Sequence, residues 1–280
     1  MNGVGASDSI AAPEAELAVN RWIIGEVVET LAKLNRAFDE LRYDEMADAI
    51  YHFVFDTFCD WYVELIKNTF DDETTRVAAW AFDQMLVMLH PLMPFITEEL
   101  WNANERPYEL IVAKWPEPNA QKDAEPASEI EWLINTIDGI RSARAEVGVP
   151  PSARLTANVA EPDSATLTIT PKYHAQIRRL ARIDTFVYEL PKTDFVLNVV
   201  ANNQTFALNV EGIVDLGAER GRLSKALGAA EKERDSLAQR LANPNFTERA
   251  KPEAVEKARA DHEAKTAEAE RLRAALKRLG

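Results

Sequence analysis

The chain has 280 residues, 46% of them hydrophobic and 28% charged, enough for two domains or for one domain with an extension. No apolar run reaches the roughly 18 residues that a membrane span requires. The opening Met1 to Ser7 lacks the basic and apolar regions of a secretory signal, and a single cysteine, Cys59, excludes an internal disulfide, so the sequence predicts a cytoplasmic protein. A net charge of −14 at first disfavours nucleic acid, whose affinity comes from Lys and Arg neutralising phosphates. The acidity is local, however. Residues 1–120 hold 8 basic and 22 acidic side chains, residues 121–211 hold 9 and 12, and residues 212–280 hold 15 and 12. A mildly basic C-terminal part permits a polyanion partner.

In chain order, the first 105 residues carry helical patterning. Pro13, Glu14 and Glu16 suit a first helical turn, and Leu17, Trp22, Ile23, Val27, Leu31, Leu34 and Phe38 then form one apolar stripe. A second helix is predicted from an Asp44 cap through Ile50, Phe53, Phe58, Tyr62 and Leu65, and a third from an Asp72 cap to Pro91. A short fourth carries Phe95, Ile96, Leu100 and Trp101. Such helices joined by short turns predict an antiparallel bundle over residues 1–120. Pro107 to Pro118 reads as extended, and the polar Asn119 to Pro126 as a boundary.

Residues 121–212 read as a small α+β module. Its elements are a helix from Ser128 to Glu146, a strand from Arg154 to Val159 and a basic helix from Pro171 to Arg182. Strands follow at 185–190, 195–200 and 205–210, the last two joined by an Asn202-Asn203 turn.

Residues 213–280 give the clearest pattern. Positions 216, 220, 223, 227, 230, 234, 237 and 241 step by four and three, and positions 255, 258, 262, 265, 269, 272, 276 and 279 repeat that step. A 3.5-residue repeat is a coiled-coil seam. Asn243-Pro244-Asn245 and Pro252 break it, so two matched helices fold into a hairpin that sets Leu241 against Val255 and Leu227 against Ala269. At ~1.5 Å per residue each helix extends roughly 40 Å. The fold class is therefore mainly α with a small α+β module and a C-terminal antiparallel coiled-coil arm.

Residues that carry chemistry are few. His52, His90, His174 and His262 have no metal-ligand spacing with Cys59 or with each other, and there is no glycine-rich phosphate loop or nucleophile elbow. His90 beside Pro91 reads as a capping or core group, and Cys59 as core packing. Glu98-Glu99 and Asp71-Asp72-Glu73 read as solvated or helix-start charges. Among the aromatics on the second helix, Phe55 and Tyr62 are expected to be partly exposed and able to stack on a base. The basic groups are more informative. Arg141 and Arg144 share a helix face, Arg178, Arg179 and Arg182 form a second basic turn, and Arg234, Arg240, Arg249 and Lys251 line the distal arm and its tip. Each taken singly fits pairing with nearby glutamates, whereas as a set on a projecting hairpin they favour a phosphate partner. Arg220, Arg234, His262 and Lys265 interrupt the seam, with stems along it and charges turned outward.

Several runs together resemble the C-terminal part of valyl-tRNA synthetases. Phe58-Cys59-Asp60-Trp61-Tyr62-Val63-Glu64-Leu65-Ile66-Lys67 and His90-Pro91-Leu92-Met93-Pro94-Phe95-Ile96-Thr97-Glu98-Glu99-Leu100-Trp101 look like helices of that family's anticodon-binding bundle. Trp115-Pro116 is similar to its following segment, and Ile140-Arg141-Ser142-Ala143-Arg144-Ala145-Glu146 with Gly148-Val149-Pro150-Pro151 to its helix-to-strand junction. The bundle runs are shared with isoleucyl and leucyl relatives. Leu241-Ala242-Asn243-Pro244-Asn245-Phe246 with Ala250-Lys251-Pro252-Glu253-Ala254-Val255 resembles the turn of the valyl family's arm, and it is specific.

The resemblance implies a bundle of the class I synthetase type that faces the anticodon stem, and an arm that braces the outer corner of a valine tRNA. It implies that the full enzyme joins valine to tRNA with ATP and magnesium, through a catalytic domain of the same protein. The His-Ile-Gly-His and Lys-Met-Ser-Lys-Ser types of signature are absent here, so this chain is expected to hold no catalytic site, cofactor or metal of its own. An Asn-Lys-Leu-Trp-Asn type run is missing too, implying an N-terminally truncated bundle. A monomer without membrane contact is expected. The competing reading is a non-catalytic helical scaffold whose arm binds protein helices.

Overall fold

The computed structural model describes residues 5–7, 9–67, 69–104, 106–247 and 251–279. The chain divides into two compact units, Met1–Ile134 and Asn135–Gly280.

In the first unit, α1 (Ala18–Asp39) buries Trp22, Ile23, Val27, Leu31 and Leu34. It starts later than the sequence suggests, leaving Pro13, Glu14 and Glu16 outside. The reason is a tertiary cap: the Glu73 carboxylate accepts from the Leu17 N–H (3.0 Å) and from Asn20 Nδ2 (2.9 Å). Leu17 and Phe38, at the ends of the expected stripe, are exposed. The next helix is not uniform. It runs as α2 (Tyr43–His52), then a π-helical stretch Phe53–Tyr62, then α3 (Val63–Ile66). Asp44 lies in its first turn and pairs with Arg42 instead of capping it. The π turn changes the phase of the core face: Phe53 and Phe58, five residues apart, are both buried, and Cys59 is turned to the surface rather than the core.

Helix α4 (Asp72–Leu89) is capped by Asp71, whose side chain accepts from Thr74 N at 2.6 Å, one residue before the cap expected. It buries Val77, Trp80, Met85 and Leu86, and stops before Pro91. His90 is structural, its Nδ1 lying 2.8 Å from Thr97 Oγ1. Helix α5 (Pro94–Asn102) buries Thr97 and Trp101 but leaves Phe95 90% exposed. Glu98 is not merely solvated, because it accepts from the N–H groups of Leu110 (2.8 Å) and Ile111 (3.3 Å) and so caps a 3₁₀ turn, Leu110–Val112, within the segment expected to be extended. A buried ion pair ties this corner down. Asp83 and Arg106 are each 4% exposed, Arg106 Nη1 lies 2.8 Å from Asp83 Oδ2, and the guanidinium stacks 4.0 Å over Trp101. The polar segment after Pro118 is strapped to α1, where Lys122 meets Glu26 (3.2 Å) and Glu29 (2.9 Å) and lies against Gly25. A Cβ at Gly25 would sit 3.2 Å from Lys122 Cγ, a tight contact that a larger residue could make only if Lys122 shifted by a few tenths of an ångström.

Helix α6 (Ala124–Glu146) begins four residues before Ser128. Its second half packs on a four-stranded sheet in the second unit, with Gly139 against Val199 and Ala201. The strands are β1 (Leu155–Asn158), β2 (Ile183–Val187), β3 (Val196–Ala201) and β4 (Gln204–Asn209), in the order β2-β1-β4-β3. β1 and β2 are parallel and the other pairs antiparallel. The β3–β4 hairpin turns at Asn202 and Asn203, whose φ values of 51° and 60° are the left-handed geometry a two-residue hairpin needs. Between β1 and β2 run two helices where one was expected, α7 (Ser164–Lys172) and α8 (His174–Leu180). The β-branched Ser164–Thr170 run reads poorly as helix. It is held by an Asp163 cap that accepts from Thr166 N at 2.7 Å.

The C-terminal hairpin pairs α9 (Leu216–Ala242) with α11 (Pro252–Arg278), with a short turn of helix, α10 (Pro244–Thr247), in the break. Lys265 meets Glu233 (2.7 Å) and Arg273 meets Glu231 (2.5 Å), so one helix descends as the other rises. Leu223, Ala230, Ala258, Ala269 and Leu279 of the expected seam are buried. Arg220 is exposed, and Arg234, His262 and Lys265 are half-buried. At the base, Arg278 and Glu146 form an ion pair. No helix among the described residues is long and apolar enough to cross a membrane.

Candidate nucleic-acid interface

Three surfaces gather the residues that can meet a nucleic acid. The first lies on α2 and the π turn. Tyr51 and Phe55 are both more than half exposed, and their rings stack with centroids 4.7 Å apart. Between them His52 is flanked one helical turn each way by acids, with Nδ1 2.5 Å from Asp56 Oδ2 and Nε2 3.4 Å from Asp48 Oδ1. The hydrogen bond to Asp56 raises the His52 pKa above the ordinary 6.5, and Asp48 adds to it. Two exposed rings can stack on bases without reading sequence. Phe55 is thus available, but Tyr62 is not. Tyr62 is fully buried, and its hydroxyl donates to Asn20 Oδ1 at 3.1 Å. Burial, and then the Glu73 and Asp71 carboxylates, push its phenol well above the ordinary value, so it stays a neutral structural donor. Tyr51 and the Asp48-His52-Asp56 triplet are absent from the sequence reading, although the i, i+4 spacing of the triplet is legible in the residues.

The second surface is on the α+β module. Arg141, Arg144 and Arg182 line one concavity of about 270 Å³. Arg178, Arg179 and Arg182 line a neighbouring one of about 340 Å³ together with Arg154 and His174, which sequence reasoning missed. Arg182 thus belongs to both. Its backbone is left-handed (φ 59°) just past the end of α8, and its carbonyl accepts from Leu155 N (3.0 Å) at the start of β1. Asp184 accepts from Arg154 Nη1 and Arg178 Nε, each at 2.9 Å. Desolvation pushes the Asp184 carboxyl up, but those two hydrogen bonds more than offset it and leave it below its ordinary range. Arg141 Nε donates to the Leu180 carbonyl at 3.0 Å. Arg144 is 5% exposed, a burial that its place in a basic sequence run does not suggest.

The third surface is the arm. The i,i+4 pairing with glutamates expected of its arginines is not what holds Arg234, which meets its sequence neighbour Asp235 at 2.7 Å. Arg240 meets no carboxylate among the described residues, and its guanidinium lies 4.2 Å over the Phe246 ring. Lys251, exposed at the cap of α11, has no carboxylate within 4 Å among the described residues. Arg249 lies outside the described residues. Lys265 is held strongly charged by hydrogen bonds to Glu233 and then Glu268. Among the described residues no three His, Cys, Asp or Glu side chains converge where a metal could be held.

Two family models match the chain. One, described as the anticodon-binding domain of tRNA ligase, covers residues 20–159. The other, described as the valyl tRNA synthetase tRNA binding arm, covers residues 215–280, the stretch that forms the α9–α11 hairpin. Similar curated proteins include the valine–tRNA ligase of Rhizorhabdus wittichii, 52% identical over all of this chain and 32% of the relative. That of Sphingopyxis alaskensis is 47% identical, again over the whole chain and 34% of the relative. That of Zymomonas mobilis is 43% identical over 99% of the chain and 33% of the relative. The chain spans about a third of the length of these relatives.

Proposed function

The chain belongs to the family of anticodon-binding domains of tRNA ligases, and on that premise we propose that it holds valine tRNA in place for a valine–tRNA ligase. The observation that carries this reading is the coincidence of the arm match with the α9–α11 hairpin, at whose turn Arg240 and Lys251 are exposed and meet no carboxylate among the described residues. Phosphate contacts from such a hairpin position an RNA by shape rather than by base sequence. The bundle faces the anticodon stem, with Tyr51 and Phe55 as a stacking surface, and the arm braces the outer corner of the tRNA. Arg141, Arg178, Arg179 and Arg234 add positive charge for the RNA backbone, as does Arg249, which in sequence lies between α10 and α11. Joining valine to the tRNA with ATP and magnesium is the work of the catalytic domain of the full-length protein, in the cytoplasm, with this chain as its tRNA-holding part.

The test is filter binding of valine tRNA and of a second, unrelated tRNA over a salt series. The reading expects salt-sensitive binding that favours valine tRNA. A chain that ignores tRNA and captures a helical protein regardless of salt would instead be a scaffold. Sedimentation at two concentrations checks the expected monomer.

A further inference from the structure

Arg144 is an unusual buried cation. Its side chain is 5% exposed, and its Nη2 donates to the carbonyls of Pro150 (3.1 Å) and Ala153 (2.8 Å). Its Nη1 is shielded from solvent and has no hydrogen-bond acceptor among the described residues. Among the described residues no carboxylate pairs with it. Burial, and then the nearness of Arg182, lower its pKa. A buried charge that meets only neutral dipoles and a second cation is left electrostatically incomplete. The concavity in front of it explains what completes it. Arg141 and Arg182 stand on its walls, the rest of the lining is aliphatic or proline, and neither an acidic nor an aromatic side chain contributes. Arg182 is exposed and has no carboxylate partner among the described residues, so its donors are available. Aliphatic walls around like charges concentrate the field in the cleft, and the lack of a ring to stack on argues against a base as the occupant.

We infer that this concavity is a binding site for one phosphate group, presented by the sugar-phosphate backbone of an RNA. Arg182 supplies the exposed fork of donors, Arg141 flanks it, and Arg144 supplies charge from behind the wall. Arg144 also braces the loop after α6 through its two carbonyl contacts, so the site is rigid before the ligand arrives. The RNA assignment rests on the tRNA-binding reading above, while the phosphate site stands on its own geometry.

The experiment follows the Arg144 and Arg182 Nε–Hε resonances of the ¹⁵N-labelled chain during titration with inorganic phosphate at constant ionic strength. In parallel, valine tRNA affinity is measured for the wild type, Arg182→Glu and Arg182→Lys. Arg182 is exposed, so its variants keep the fold, and Arg144→Gln serves as a second probe. The expected result is a saturable phosphate shift that chloride does not reproduce. Arg182→Glu should abolish it, weaken tRNA binding roughly tenfold and lower the salt slope by about one, with most of the affinity restored by Arg182→Lys. A phosphate shift without any change in tRNA binding would assign the site to free phosphate and overturn the RNA assignment. No saturable shift and unchanged tRNA binding would overturn the site, while tRNA binding by the wild type left the function standing. A shift larger and tighter with polyglutamate than with phosphate would overturn the phosphate assignment in favour of an acidic peptide. If the wild type bound no tRNA but kept its phosphate shift, the tRNA reading would fall and the anion site would remain.

Discussion

Charge reversal at the arm tip, Arg240→Glu with Lys251→Glu, separates phosphate contact from helix packing. Both residues are exposed and neither lies on a buried seam position. Locally, Glu at position 251 sits at the start of α11, where the helix dipole favours it, and Glu at position 240 sits in the last turn of α9, where it does not. Loss of the Arg240–Phe246 contact adds a cost of about 0.5–1 kcal/mol. The net effect on the hairpin is therefore at most about 1–2 kcal/mol, too little to unfold two helices of 27 residues each. If each cation meets one phosphate, the double variant releases about two fewer counterions, and the slope of log affinity against log salt becomes shallower by about 1.8. Between 50 and 200 mM salt, the ratio of wild-type to variant affinity should then shrink by roughly twelvefold. Fluorescence anisotropy of labelled valine tRNA over that range reads this directly, with circular dichroism to check helix content. Parallel lines for the two proteins would refute the tip as a phosphate contact.

Three further outcomes follow from the packing. Arg106→Met strands the buried Asp83 carboxylate, which among the described residues then keeps the Ser7 N–H (2.9 Å), and should cost about 3–5 kcal/mol in urea unfolding. A loss under about 1 kcal/mol would mean the pair is hydrated. The raised His52 pKa means that its pairing with Asp56 and Asp48 adds stability that is full below pH 6.5 and fades as pH rises through the folded-state value. The thermal midpoint gap between wild type and His52→Gln should therefore close from pH 5.5 to 8.5, and a gap that widens would reverse the assignment. Leu223→Ala, at a 2%-exposed seam position, should destabilise the hairpin by about 2 kcal/mol, the low end for a core leucine because only two helices surround it. Thermal unfolding unchanged by that substitution would place Leu223 outside the seam.

The arm was the most legible part of the molecule because its fold depends on a local repeat. Leu223, Ala230, Ala258 and Ala269 are buried where a 3.5-residue period puts them, Asn243-Pro244 ends α9, and Pro252 opens α11. The bundle was legible in its helices but not in their phase. One π turn moves the core face from a three- or four-residue step to the five-residue step from Phe53 to Phe58, and this turned Cys59 outward. Tyr62, expected at the surface, is a core residue whose polar end is satisfied by Asn20, a partner 42 residues away that no local pattern reveals. The same holds for the Asp83–Arg106 pair and for the Glu73 cap on α1. In the module the arginines were visible as basic turns. That Arg144 is buried depends on the carbonyls of Pro150 and Ala153, which only the folded loop brings to it.

We propose that this chain holds a tRNA at two places, the anticodon stem through the bundle and the outer corner through the arm. Nuclease footprinting of end-labelled valine tRNA with the chain, at low salt, tests it most directly. Two-site holding protects the anticodon arm and the loops that meet at the outer corner, the latter protection being lost in Arg240→Glu/Lys251→Glu while the former persists. Protection confined to the acceptor end, or none at any protein concentration that saturates filter binding, would contradict it.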